Sequence, residues 1–292
     1  MSRRFLTALE QEKTLVLDGA MGTMLLQHDL DGIECLEFAN LTAPAVVAHI
    51  HQAYVSAGAE LVETNTFGAN PVRLARFGLA DQALEINRQG VVIAREAVGE
   101  QALVLGAIGP LGELLEPYGD ISPQTARAAF TLQAEAFAQA GADACIVKTM
   151  ADLTEACLAV EAAVACGLPV IAQMSYEASG RTFMGVDPLQ AASRLAEAGA
   201  CVIGANCSVG PEQMLTVIKT LREHTPLPIS ALPNAGLPTV TGTVTQWPLK
   251  PTEFAQWGLQ LLGAGASLIG GCCGTTPEHI GALAKALRSQ NG

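Results

Sequence analysis

Residues 270–279 read GGCCGTTPEH, which places the adjacent thiols of Cys272 and Cys273 between glycines, and a third thiol, Cys207, sits in GANCSVGP (204–211). Three thiolates with one position left open describe a catalytic zinc centre better than a structural one, which normally closes with four protein ligands. Gly270, Gly271 and Gly274 would let the backbone turn both neighbouring side chains toward one ion, a turn that a Cβ resists. The helix beginning at Thr275-Thr276-Pro277-Glu278 would bring its positive dipole end to the same place, which favours anions. An open, thiolate-rich zinc suits another thiol as substrate. A free thiol, with a pKa of about 8.5, is only slightly ionised at neutral pH, whereas a zinc-bound one is deprotonated. Such a site would turn a substrate thiol into a nucleophile for an electrophilic carbon; zinc bound mainly by His would suit water activation instead. Spacing alone leaves alternatives, because Cys-Cys is not a regular zinc-finger pair and a strained vicinal disulfide has the same sequence.

These thiols act together only if the fold gathers them. Eight short apolar, β-rich runs recur along the chain: TLVLD (14–18), ELVETN (60–65), ALVLGAIG (102–109), DACIVKT (143–149), PVIAQMS (169–175), CVIGANC (201–207), LPISALPN (227–234) and SLIGGCC (267–273). Segments of helical periodicity lie between them, such as SPQTARAAFTLQAEAFAQAG, where Ser122 caps and Pro123 fits the first turn. Several end in glycine before the next strand, at Gly58, Gly141, Gly167, Gly199 and Gly265. Continuous apolar strands each followed by a helix imply parallel strands buried on both faces, and eight such units predict a TIM (β/α)8 barrel forming one domain over residues 1–292. A doubly wound sheet is the alternative architecture. Barrel chemistry belongs at the C-terminal strand ends, and Cys207, Cys272 and Cys273 all fall there, after strands six and eight, facing one mouth. A non-zinc thiol nucleophile is disfavoured because no His falls at a strand end to act as its base.

Composition narrows the partners. The chain has 292 residues, is 50% hydrophobic and carries a net charge of −12, which disfavours nucleic acid and anionic membrane surfaces. No run approaches the ~18 to 20 apolar residues of a membrane span, and MSRRFLTALEQEK has no apolar core of a secretory signal, so a cytoplasmic location is expected. Eight cysteines in a reducing compartment stay as thiols or bind metal. Cys35, Cys145, Cys157, Cys166 and Cys201 read as small buried hydrophobes.

The chain resembles the zinc-dependent homocysteine S-methyltransferases, including the homocysteine-binding barrel of cobalamin-dependent methionine synthase. The resemblance rests on LDGAMGTML (17–25), NLTAPAVVAHIHQAYVSAGAELVETNTFGAN (40–70), GAIGPLG (106–112), GRTFMGVDP (180–188), GANCSVGP (204–211), PNAGLP (233–238) and GGCCGTTPEHI (270–280). It implies a TIM barrel in which Cys207, Cys272 and Cys273 hold Zn2+ and a thiol, typically homocysteine, takes a methyl group by in-line attack. It further implies that Asp18 and the Gly19-Ala20 turn hold the amino-acid end of homocysteine, and that Asn234 is a candidate oxygen ligand when substrate is absent. DGAMGTML and ETNTFGAN are closest to the methionine synthase branch. With no folate or cobalamin domain in the 292 residues, the expected methyl donor is a methylcorrinoid carried on a separate protein or domain.

One position departs from the family pattern. The segment after strand four usually reads Glu-Thr-Met, with the Glu holding the substrate ammonium; here it reads Lys148-Thr149-Met150. Lys148 either pairs with Glu63 or Asp18 across the mouth, or meets a substrate carboxylate. In the second case the acceptor is a thiol acid such as 3-mercaptopropionate, or homocysteine bound the other way round. A zinc-binding module without methyl transfer is the remaining alternative. Glu63 and Asn65, at the second strand end, suit either catalytic support or a structural role, and His49 and His51 read as surface or packing groups. GAIGPLG lacks a phosphate-binding Lys and reads as a turn that makes room at the mouth.

Overall fold

The structure, a computed structural model, describes residues 4–11, 14–28, 34–241 and 244–290. Its strands are β1 (Leu15–Val16), β2 (Leu61–Glu63), β3 (Leu103–Ile108), β4 (Ala144–Met150), β5 (Val170–Met174), β6 (Val202–Asn206), β7 (Ile229–Leu232), β8 (Thr239–Thr241), β9 (Val244–Gln246) and β10 (Leu268–Ile269). All but β8 and β9 form one parallel sheet in the order β1-β10-β7-β6-β5-β4-β3-β2. A parallel bridge between Leu17 and Leu61 joins its two ends, reinforced by Asp18 N–H donating to Leu61 O at 3.0 Å and Glu60 N–H to Val16 O at 2.8 Å. The sheet therefore closes on itself, and the expected TIM barrel is the fold.

Each barrel strand separates two cores. Ile146 and Ile171 join an inner cluster with Leu17, Leu61, Leu105, Val202, Leu232 and Leu268, while their neighbours Cys145, Val147, Val170 and Ala172 face the surrounding helices. This period-two division of a continuous apolar run is what a strand buried on both faces requires. Phe5, from the helix Arg4–Gln11, is fully buried in the inner cluster.

Local signals in the sequence set the helices. Pro44, Pro123, Pro188, Pro211, Pro251 and Pro277 each open a helix in its first turn, where the missing N–H costs nothing. Ser122 caps its helix by accepting from Thr125 N–H, as expected, and Gly58 and Gly141 close theirs in the left-handed conformation. Two features differ from the sequence reading. Several strands are shorter than the apolar runs, because the last residues of each run leave the ladder to build the mouth. The antiparallel hairpin of β8 and β9 was not among the expected strands; TVTGTVTQ (239–246) has the β-branched alternation around a glycine that supports it.

Candidate metal centre

Cys207 follows directly on β6, and its backbone is unusual. Cys207 and Ser208 have φ of 59° and 56°, a region that side chains with a Cβ rarely occupy. The neighbouring β7 and the turn's own backbone hold it: Cys207 N–H donates to Leu232 O at 3.1 Å and Val209 N–H to Cys207 O at 2.7 Å. Ser208 Oγ lies 2.6 Å from Ser175 Oγ beyond β5. The turn swings the Cys207 thiol across the mouth toward the end of β10.

The Cys272-Cys273 segment is threaded between β1 and β7. Gly271 N–H donates to Asp18 O at 3.0 Å, Cys272 N–H to Pro233 O at 2.8 Å, and Ala235 N–H to Cys273 O at 2.9 Å. Its glycines serve close approach more than freedom of turning. A Cβ on Gly271 would lie 2.4 Å from Thr275 Oγ1, and one on Gly274, which has φ +80°, would lie 2.1 Å from Trp247 Cγ. Thr275 ties the segment to the first strand end, donating to Cys272 O at 2.7 Å and accepting from Ala20 N–H at 3.2 Å. Tyr54 OH bonds both Ala20 O and Thr275 O at 3.2 Å.

The result is a cluster in which the sulfurs of Cys207, Cys272 and Cys273 all lie within 4.8 Å of one another. Hydrogen bonds from Cys272 and Cys273 push the Cys207 thiol down to about 3, and the bond to Cys207 pushes Cys272 and Cys273 up. The three thiols are thus coupled, and ionising one opposes ionising the others. Three soft sulfur donors that cannot all ionise unaided suit a thiophilic divalent cation, whose charge would allow it. The donor set fits zinc with one position open. Asn206 supports the cluster, directing Nδ2 toward Cys272 Sγ at 3.8 Å while bonding Thr149 through both amide atoms at 2.7 Å.

The three cysteines line a cavity of about 410 Å³ together with Gly19, Ala20, Glu63, Thr149 and Lys148; its other walls include Cys35, Glu37, Phe67, Arg73 and Phe77. Lys148 Nζ donates to Glu63 Oε2 at 2.5 Å, both side chains being nearly buried, so of the alternatives raised by the sequence the structure shows the pairing with Glu63. Burial alone would lower the Lys148 pKa, but Glu63, Cys272 and Asp18 together raise it; the lysine is an ammonium. Burial raises Glu63 and is opposed by Lys148. Asp18 lies behind this wall, 1% exposed, its Oδ2 accepting the Glu63 N–H at 3.0 Å. Burial and then the Glu63 charge raise its pKa.

Asn234 does not line the cavity, but its backbone is fixed beside the cluster by its N–H to Val209 O at 3.3 Å. Its buried Oδ1 has no hydrogen-bond partner among the described residues. Asn65 is structural, donating to Leu36 O at 2.8 Å and Asn40 Oδ1 at 3.2 Å. His51 is fully buried in its helix and His49 is exposed. Cys145, Cys157, Cys166 and Cys201 stand apart from the cluster, each pushed up by burial. Cys35 is more than a filler: it lines the cavity, donates to Glu37 Oε2 at 3.3 Å and is pushed up to about 11 by burial and the Glu37 charge. The sequence names Thr275 only as part of a helix start, and it gives Tyr54 and Trp247 no role; Tyr54 lies inside the motif segment 40–70 and Thr275 inside 270–280, whereas Trp247 lies outside every motif segment.

A family profile described as homocysteine S-methyltransferase matches residues 15–287. The chain is 37% identical over 299 aligned residues to a methionine synthase of Mycobacterium leprae (strain TN), covering 96% of this chain and 25% of that protein. A methionine synthase of Mycobacterium tuberculosis (strain ATCC 25618 / H37Rv) is likewise 37% identical, covering 94% and 25%. The chain thus spans about a quarter of the length of these relatives. Among solved structures, the metallated form of the homocysteine methyltransferase MmuM from Escherichia coli superposes with a TM-score of 0.81 at 26% identity, over 98% of this chain and 99% of that one.

Proposed function

The chain belongs to the homocysteine S-methyltransferase family, and from that premise we propose that it methylates the thiol of homocysteine, forming methionine, at a zinc ion held by Cys207, Cys272 and Cys273. The observation that carries this reading is the convergence of those three sulfurs within 4.8 Å in the wall of a cavity of about 410 Å³. Zinc bound there supplies the charge that keeps the substrate sulfur ionised at neutral pH.

The chain's own residues do the rest. The left-handed turn at Cys207 and the threaded Cys272-Cys273 segment present the sulfurs without rearrangement, which lowers the cost of assembling the site. Asn234, whose buried Oδ1 lacks a partner among the described residues, would be the candidate oxygen ligand of the ion when substrate is absent. Gly19 and Ala20 form the wall against which the amino-acid end rests; the Ala20 N–H is already used by Thr275, so this wall acts through shape as well as polarity. Asp18 fixes the wall behind it through the Glu63 backbone.

The methyl donor in this reading is a methylcorrinoid carried by a separate protein or domain, supported by the methionine synthase names of relatives about four times as long. The barrel acts as one domain in a reducing compartment, the cytoplasm, where its thiols persist; among the described residues no helix is long and apolar enough to cross a membrane. A second reading is methylation of a thiol acid such as 3-mercaptopropionate, whose carboxylate would meet Lys148 in the cavity wall in competition with Glu63.

X-ray absorption at the zinc edge of the metal-loaded protein tests the proposal. Three sulfurs plus one lighter atom should become four sulfurs when homocysteine is added. An environment unchanged by any thiol would reduce the protein to a zinc-binding module.

A further inference from the structure

Two buried carboxylate oxygens have no hydrogen-bond partner among the described residues: Glu63 Oε1 in the cavity wall and Asp18 Oδ1 behind it, both fully shielded from solvent. An ionised carboxylate only accepts hydrogen bonds, and a buried acceptor left unpaired is costly. Each group uses its other oxygen internally, Glu63 Oε2 toward Lys148 Nζ at 2.5 Å and Asp18 Oδ2 toward the Glu63 N–H at 3.0 Å. The two residues are thereby locked side by side, and Glu63 lines the cavity with the three thiols.

We propose that Glu63 is the residue that reads the substrate's ammonium, fixing the acceptor as an amino thiol, and that Lys148 is a positioning residue that holds the Glu63 carboxylate. This rests on the thiol reading above and decides between its two substrates. A primary ammonium has several N–H donors on one charged centre, which is what the unpaired Glu63 oxygen beside the thiols calls for. A thiol acid offers it nothing, and its carboxylate would face Glu63 and the thiol cluster. Lys148 would otherwise be the natural anchor for such an acid, but its ammonium is committed to Glu63. A site built around a polar group on its ligand rejects the analogue that lacks it, because its own buried atoms are then left unpaired.

The test is calorimetric titration of zinc-loaded protein with L-homocysteine and with 3-mercaptopropionate, which keeps the thiol and carboxylate and lacks both the ammonium and the carbon that bears it. Wild type should bind homocysteine at least tenfold more tightly. Glu63→Gln should bring the two thiols within about threefold while zinc content holds, with homocysteine affinity falling and 3-mercaptopropionate affinity unchanged or raised by the freed Lys148. Because Glu63→Gln leaves the Lys148 charge buried alone, the double variant Glu63→Gln/Lys148→Met, neutral at both positions, provides the same test in a protein without an unpaired charge. Lys148→Met should lower the homocysteine preference and leave 3-mercaptopropionate unaffected. A wild type that prefers 3-mercaptopropionate, a preference for homocysteine that survives both Glu63 variants, or a Lys148→Met that weakens both thiols equally would overturn the assignment. Failure of folded, zinc-loaded wild type to bind either thiol would overturn the thiol reading itself, and this inference with it.

Discussion

Cys207 Sγ and Cys273 Sγ lie 3.7 Å apart across 66 residues of chain, brought together because β6 and β10 flank β7 in one closed sheet. Cys272 completes the group, and the other five cysteines lie outside it. The protein should therefore carry about one zinc per chain, and serine at any one of the three positions should strip most of it. Cys145→Ser and Cys201→Ser should retain zinc and lose only stability. Metal analysis after gel filtration checks this, and full occupancy in the double variant Cys272→Ser/Cys273→Ser would sink the assignment.

Gly274 should tolerate no side chain. Its φ of +80° alone costs a residue with a Cβ about 1 kcal/mol, and the Cβ would lie 2.1 Å from Trp247 Cγ. Gly141 has a similar φ, +84°, with nothing within 4 Å of its added Cβ. Gly141→Ala should thus cost about 1 kcal/mol with zinc affinity intact. Gly274→Ala should cost several times more and weaken zinc, because displacing Trp247 moves the turn beside Cys273. Denaturation midpoints and zinc affinities for the pair separate backbone strain from the clash; equal effects would show that Trp247 yields freely.

The barrel was legible because its signals are local: an apolar run long enough for a strand, a proline or Ser cap, a closing glycine. The three ligand candidates were legible because a parallel barrel places all C-terminal strand ends on one face. The Lys148–Glu63 bond joins residues 85 apart, and a charge sequence cannot distinguish such a pair from a lysine free to meet substrate. The positive φ at Cys207 and Ser208 left no trace either, since no glycine or asparagine occupies either position. Tyr54 was hidden for another reason: an apolar helix face looks the same whether or not its one hydroxyl bridges two loops.

His51 should make the fold acid-sensitive. Its complete burial lowers its pKa from 6.5 to about 4, so between these values the unfolded chain binds a proton that the folded one does not. Stability from this group is complete above pH 6.5 and is lost as pH falls toward 4, by up to about 3 kcal/mol. His51→Leu removes the titration. Urea denaturation from pH 7.5 to pH 4 should show the variant gaining on wild type by that amount on acidification. Parallel curves would mean that His51 is protonated, or solvated, in the folded protein.

Methyl transfer should depend on a docked donor protein. Tyr118, Phe183 and Leu237 are 73%, 77% and 53% exposed and lie on the segments after β3, β5 and β7, which all emerge at the mouth of the barrel. Large apolar groups exposed on several loops around one opening suit a protein surface better than a small soluble donor. An aromatic side chain buried at the centre of an interface contributes about 2 kcal/mol, equivalent to roughly thirtyfold in affinity. Tyr118→Asp and Phe183→Asp should accordingly raise the KM for a methylcorrinoid protein by that order. Zinc content and homocysteine binding should not change, because neither residue lines the thiol cavity. Free methylcobalamin, which makes no such interface, should react slowly and equally with wild type and variants. Steady-state assays with methylcorrinoid protein, free methylcobalamin, S-methylmethionine and betaine decide the matter: ordinary turnover with either of the last two, and none with methylcorrinoid, would show that the donor is a small molecule and that these exposed side chains serve another purpose.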